Sequence, residues 1–157
     1  MSRALFTTLL ALCFSFASLA IGNAPQEQTL KKKDVPQSIL KSFQEAYPKA
    51  KMKGFSKEKN EGKVVYEVES LEGKIHRDIL YDADGAVVSI EESLAFAELP
   101  QAVRKAIAKE YPKAKITKCE KLIKGSTTQF EVVLKYGKGK YEIVFDTDGK
   151  IAKKEKV

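Results

Sequence analysis

The sequence predicts an α+β fold: two tandem helix-plus-four-strand repeats sharing an antiparallel sheet, with the helices packed on one face. Three observations predict it. Segments recur at a constant offset of 64 positions, each copy opens on an apolar helical stripe, and each continues with strand-like alternation. Such self-similarity is sought before any other pattern because it sets the architecture.

The recurrence is read directly. Val35-Pro36-Gln37 returns as Leu99-Pro100-Gln101, and Tyr47-Pro48-Lys49-Ala50-Lys51 as Tyr111-Pro112-Lys113-Ala114-Lys115. Tyr66-Glu67-Val68 returns as Phe130-Glu131-Val132, and Tyr81-Asp82-Ala83-Asp84-Gly85 as Phe145-Asp146-Thr147-Asp148-Gly149. Residues 35–88 align with 99–152 without a gap and share seventeen identities in fifty-four positions. Four blocks holding one register point to duplication.

Each copy starts with a helix. Pro36 and Pro100 suit a first turn, where the missing N–H costs no hydrogen bond. Ile39, Leu40, Phe43 and Tyr47 form one apolar stripe, matched by Val103, Ile107 and Tyr111. Pro48 and Pro112 end the helices by disfavouring α geometry in the preceding Tyr. The two Tyr are read as core residues rather than catalytic ones.

Strands follow. Ala50–Met52 and Ala114–Ile116 alternate with Lys and read as the first of them. Val64, Tyr66 and Val68, then Ile79 and Tyr81, alternate with their neighbours, as do Phe130, Val132 and Leu134, then Tyr141, Ile143 and Phe145. A period of two with one apolar face indicates an antiparallel sheet covered on one side. Gly-containing segments between the runs mark tight turns. A unit of about 55 residues buries only around 60% of its unfolded surface and is marginal alone. The two units are therefore expected to share a sheet of up to eight strands and a common interior, leaving one curved face open to water.

The N-terminus reads as an address. Arg3 is the only charge before Glu27, residues 4–20 are apolar or small, and Ser18-Leu19-Ala20 ends the run with small residues. These are the parts of a secretory signal peptide, with cleavage expected after Ala20. Leu12 before Cys13 does not fit a lipid-anchored form. No later run is long enough to span a bilayer. The expected organisation is 1–20 signal peptide, 21–34 flexible lead, 35–98 first repeat and 99–157 second repeat, in a periplasmic or secreted monomer with no stable membrane span.

Composition narrows the chemistry. The 157 residues include one His and two Cys, which excludes disulfide-rich scaffolds, Cys-based zinc sites and His-pair metal motifs. After cleavage only Cys119 remains, so no internal disulfide forms, and the thiol is read as a small buried hydrophobe. The net charge is +7, unevenly placed. Residues 35–98 hold nine Lys/Arg against twelve Asp/Glu, whereas 99–157 hold fifteen against seven. Such asymmetry can steer an acidic partner in a salt-dependent way. Export argues against nucleic acid as that partner. Leu94, Phe96 and Leu99, with Ala95 and Ala97, suggest a partly buried joint between the units.

The motifs have a familiar order. A Pro-x-x-aliphatic helix start, Tyr-Pro-x-Ala before the first strand, a central Tyr-Glu-Val and a closing Tyr/Phe-Asp-x-Asp-Gly resemble the PepSY-like family of bacterial exported domains. That family is described as similar to beta-lactamase inhibitory protein, itself two tandem helix-plus-four-strand units. The resemblance spans residues 35–92 and 99–155. It implies a non-catalytic, protein-binding role outside the cytoplasm, with inhibition of a hydrolase often suggested, although fold alone does not fix function.

Candidate chemistry is sparse. The two Asp-x-Asp-Gly segments lack the carboxylates and flanking helices of an EF-hand, and read as β-turns with Gly at positive φ. His76 and Asp78 share a strand face and can pair, but no activated nucleophile accompanies them. Lys140 and Glu142 hold the equivalent positions and read as a solvated pair. Glu67 and Glu131 recur on the polar side of one strand; paired carboxylates suit glycosidase work, yet no pocket residues go with them. No enzyme and no cofactor are therefore expected. The expected binding face comprises Glu67, Glu69, His76, Asp78, Glu131, Lys135, Lys140 and Glu142, docking a protein or peptide of the cell envelope. The alternative is a basic envelope-surface or polyanion binder acting through the second repeat.

Overall fold

The computed structural model describes residues 27–60 and 62–157. Among these residues, nine antiparallel strands form one open sheet, in which spatial order follows chain order throughout. The strands are β1 (Gln28–Thr29), β2 (Lys51–Asn60), β3 (Lys63–Glu72), β4 (Ile75–Tyr81), β5 (Val87–Ser93), β6 (Lys115–Lys124), β7 (Thr127–Tyr136), β8 (Gly139–Asp146) and β9 (Ile151–Lys156). Helix α1 (Gln37–Ala46) precedes β2, and α2 (Gln101–Glu110) lies between β5 and β6. Helix α1 recurs 64 positions later as α2, and the starts of β2 to β5 as those of β6 to β9. Among the described residues, no helix is long and apolar enough to cross a membrane.

Each helix begins immediately after its proline, which serves as the N-cap residue, and each ends at the tyrosine before the second proline. Ile39 and Phe43, and Val103 and Ile107, are the buried pairs one turn apart. They pack on the even residues of β3 and β7 and the odd residues of β4 and β8. Val68, Ile79 and Tyr81 lie under α1, and Val132, Leu134, Ile143 and Phe145 under α2. Burying one large aliphatic or aromatic side chain stabilises by about 1.5–3 kcal/mol.

Three expectations are corrected. Most of the buried apolar residues form two clusters, one beneath each helix, rather than one common interior. The halves are joined by the β5–β6 ladder, from Ser89 opposite Lys124 to Ser93 opposite Glu120. The sheet has nine strands, not eight, because residues 28–34, read as a flexible lead, hold β1 and a short 3-10 turn (Lys32–Asp34). That segment is ordered because the Leu30 amide donates to the Phe55 carbonyl at 2.8 Å, while Leu30 and the buried Val35 pack against the first cluster. The expected signal peptide and residues 21–26 lie outside the described residues. The first strand of each unit is also longer than read, running ten residues through positions where Lys and Glu obscure the alternation.

The Asp-x-Asp-Gly segments are turns with a packing role. Asp82 Oδ1 accepts hydrogen bonds from the amides of Asp84 (3.0 Å) and Ala86 (2.9 Å). Gly85 and Gly149 have φ of +86° and +80°. A Cβ on Gly85 would meet the Ser38 carbonyl at 2.9 Å, and one on Gly149 the Ala102 carbonyl at 2.6 Å. The carboxylate closes the loop, and the glycine lets each hairpin press against the first turn of its helix. The Ser38 hydroxyl fastens the first contact by donating to the Ala83 carbonyl at 3.0 Å.

Candidate functional site: the helix-free sheet face

Because strand residues alternate, the side chains opposite the helices form a second face. Register assigns it. Ser56 stands opposite Glu67, Glu67 opposite Leu80, and Glu69 opposite Asp78. Asp78 stands opposite Glu91, Glu91 opposite Leu122, and Glu120 opposite Glu131. Val133 faces Glu142, and Glu142 faces Glu155. No helix among the described residues packs on this face.

All eight residues named from sequence lie on it, but not as one solvated set. His76, Lys135 and Lys140 are exposed, and the two lysines face each other at one end. Glu69 and Asp78 are half-buried. Glu67, Glu131 and Glu142 are buried, at 9%, 7% and 7% exposure, which corrects their reading as outward surface charges. His76 is exposed, as read; its charge opposes the rise of Asp78, and its backbone amide donates to Ser93 Oγ at 2.9 Å.

Burial follows from strand shape. Ladder irregularities interrupt β2, β4–β5, β6 and β8–β9 at Met52/Gly54, Leu80/Tyr81, Ile116/Lys118 and Val144/Phe145. Bulges of this kind bend strands and tighten twist. One cleft is lined by Asn60 on β2, Leu80, Ser89, Glu91 and Leu122, and Gln129 on β7. In a flat sheet β2 and β7 would stand about 24 Å apart, at about 4.8 Å per strand. The sheet therefore curls around this face, and Val65, Leu122, Val133 and Val144 are buried within it alongside the carboxylates.

The electrostatics are those of crowded acids. Burial pushes Glu91 up to about 8, reinforced by Glu120 and Glu131 and opposed by Lys118. Glu67 rises to about 7, chiefly through burial, although Ser56 Oγ donates to its Oε2 at 2.9 Å. Glu131 rises to about 7 through burial and then the charges of Glu142 and Glu120. Asp78 rises to about 6 through burial and then Glu69. Glu142 is raised for the same reason, burial first. Lys118 is the central counter-ion, its Nζ 2.7 Å from Glu120 Oε2. Burial disfavours its charge, but Glu120, Glu131 and Glu91 together hold its ammonium above its ordinary range.

Sequence reasoning missed Glu91, Glu120 and Lys118. Glu91 sits beside Glu92 in a run of mixed polarity, and Glu120 in a strand with four lysines. The usable signal was parity: Glu91 and Glu120 fall on the same alternation class as Ser89 and Leu122. Cys119 points to the opposite face, buried in the α2 cluster, and its thiol is pushed up to about 11 by burial and then Glu120. The arrangement can accept cations and hydrogen-bond donors. Among the described residues, no three His, Cys, Asp or Glu side chains converge as a metal-holding group.

No curated protein matches the sequence. Among solved structures, a Bacteroides uniformis protein of the DUF2874 family superposes with a TM-score of 0.66 at 20% identity, covering 78% of this chain and 90% of that one. A BLIP-like protein from Bacteroides fragilis gives 0.63 at 21% identity, covering 78% and 86%. A Bacteroides eggerthii protein described as "putative periplasmic" gives 0.66 at 18% identity, covering 78% and 89%. At these identities the likeness is one of fold. The model of the family described as "Putative beta-lactamase-inhibitor-like, PepSY-like" matches residues 24–88 and again residues 64–153, so the chain belongs to that family.

Proposed function

We propose that this chain is an exported, non-catalytic binding protein of the bacterial cell envelope, built from two tandem repeats, that docks a protein or peptide on its helix-free sheet face. The observation that carries the reading is the one-sided layering. Both helices and both apolar clusters occupy one face, and the other presents a curled, acid-rich surface with a cleft at the junction of the halves. Curved faces with a buried centre and polar rim suit macromolecular partners. Arg3, the apolar run and Ser18-Leu19-Ala20 support export, as does the periplasmic description of the Bacteroides eggerthii protein. A hydrolase is the partner class that the family's description suggests.

The test is capture from an envelope extract by residues 21–157, with bound proteins identified by mass spectrometry. A partner retained by the native chain and released by Leu122→Arg supports the proposal. Capture indifferent to that change, or nothing above background, overturns it. Retention on an anionic column that follows the lysines of residues 99–157 and fades with salt would favour the polyanion reading instead.

A further inference from the structure

The cleft at the β5–β6 junction has a definite chemical character. Its walls are apolar where Leu80 and Leu122 lie, and polar at Asn60, Ser89 and Gln129. Glu91 stands between Asp78 on β4 and Leu122 on β6, its direct cross-strand neighbours. One side of Glu91 is thus a second carboxylate and the other an aliphatic wall. Glu58, two positions before Asn60 on the same face of β2, is 7% exposed, and its Oε2 accepts no hydrogen bond among the described residues. An acceptor so placed is costly without a donor.

Charge deepens the asymmetry. Like charges directly opposite on neighbouring strands are unfavourable, yet Glu69–Asp78, Asp78–Glu91 and Glu120–Glu131 are all such pairs. Lys118 is paired with Glu120 at 2.7 Å, and its single charge is shared with Glu91, Glu131 and Asp78. Lys124 also lines the cleft but is engaged in an interaction of its own.

We infer that this cleft is a subsite for a lysine or arginine side chain of the docked polypeptide, its stem against Leu80 and Leu122 and its cationic head between Glu91 and Asp78. The side-chain chemistry matches: both residues carry an apolar stem and a charged tip. A cation seated there favours the ionised form of Glu91 and offsets the crowding of like charges across the β4–β5 ladder. The inference rests on the docking reading and specifies the partner's chemistry.

The probe is hexalysine, titrated into residues 21–157 at low ionic strength and followed by amide NMR, with side-chain-acetylated hexalysine as the neutral control. Expected are peak movements centred on Leu80, Ser89, Glu91 and Leu122, saturable binding by the charged peptide alone, and at least tenfold weaker binding to Glu91→Gln. Asp78→Asn serves as the second variant, and an unchanged spectrum outside the cleft reports that each variant is folded. Peak movements scattered over other acidic groups, equal binding of the acetylated peptide, or undiminished binding by both variants overturn the inference. If the native chain captures an envelope partner that both variants hold equally well, docking stands and the cationic subsite falls.

Discussion

Glu120 on β6 and Glu131 on β7 stand directly opposite each other, two buried carboxylates on neighbouring strands of one face. Lys118 neutralises the first at 2.7 Å. The second stays ionised only against burial and the charges of Glu142 and Glu120, hence its rise to about 7. Glu131→Gln removes that cost while keeping the shape. It should stabilise the fold at pH 8 by about 2 kcal/mol, since each tenfold change in proton affinity is worth roughly 1.4 kcal/mol. Near pH 4.5, where the native carboxyl is already protonated, the gain should vanish. Paired thermal melts at the two pH values check both halves of this statement.

The whole acid belt gives a pH dependence with an unusual sign. Glu67, Asp78, Glu91 and Glu131 all have folded-state values above their unfolded ones, at about 7, 6, 8 and 7. The folded state therefore binds more protons than the unfolded state between about pH 4.5 and 8, and stability must fall as pH rises through that window. The melting temperature should be higher near pH 5 than at pH 8.5, at constant ionic strength. A flat or rising profile would remove the claim that these groups are desolvated.

Glycine substitutions should divide by location. Gly85→Ala and Gly149→Ala combine positive φ with a carbonyl within 3 Å, so each should cost about 2–3 kcal/mol or more. Gly137 has a φ of +58° but open space around it, so Gly137→Ala should cost only about 1 kcal/mol. Urea midpoints of the three variants provide the comparison.

Arg77 crosses the helix-side face of the first half. Its guanidinium meets Glu72 at 2.8 Å and Glu92 at 2.5 Å and lies over the Tyr47 ring, with only 8% of the residue exposed. Arg77→Ala strands two carboxylates that remain about a third exposed, so the loss should be about 2 kcal/mol, less than for a fully buried pair. Adding Glu92→Gln should recover part of it in a double-mutant cycle.

Cys119 should behave as an inert thiol. It is 6% exposed and its thiol is pushed up to about 11, so alkylation at pH 8 should be slow and should accelerate only with unfolding. Labelling in the absence of urea as fast as that of free cysteine would contradict its packing beneath α2.

The helices and the strands beneath them were legible because they are written in apolar spacing. Ile39 and Phe43 announce one helix, Val103 and Ile107 the other, and Val68, Val132, Ile79 and Ile143 the sheet beneath them. The Asp-x-Asp-Gly turns were legible in type, but not in their contact with the helices, which depends on how the hairpins fold back. The acid face was only partly legible. Alternation put Glu67 and Glu131 opposite the core, but their burial comes from strand bending, which no residue period records. Glu91 and Glu120 were missed because their proximity depends on β5 and β6 pairing across a helix, a long-range register. The ordering of residues 28–34 depends on the pairing of Gln28 and Thr29 with β2, on the Leu30 amide finding the Phe55 carbonyl and on the packing of Leu30 and Val35, none of which leaves a periodic signal.

The order of the strands has a consequence for how the chain reaches this state. Among the described residues, seven of the eight ladders join strands linked by short turns or hairpins, or lie at the N-terminal edge with β1; β5 and β6 alone are brought together in the interior around a helix. Closing that longer excursion carries the greatest entropic cost among the interior pairings. A chain stalled before it would hold two half-sheets with raw edges at Ser89–Ser93 and Glu120–Lys124. Those edges are the segments through which two copies could exchange halves, so the lock between the halves doubles as the point where a domain-swapped dimer would open.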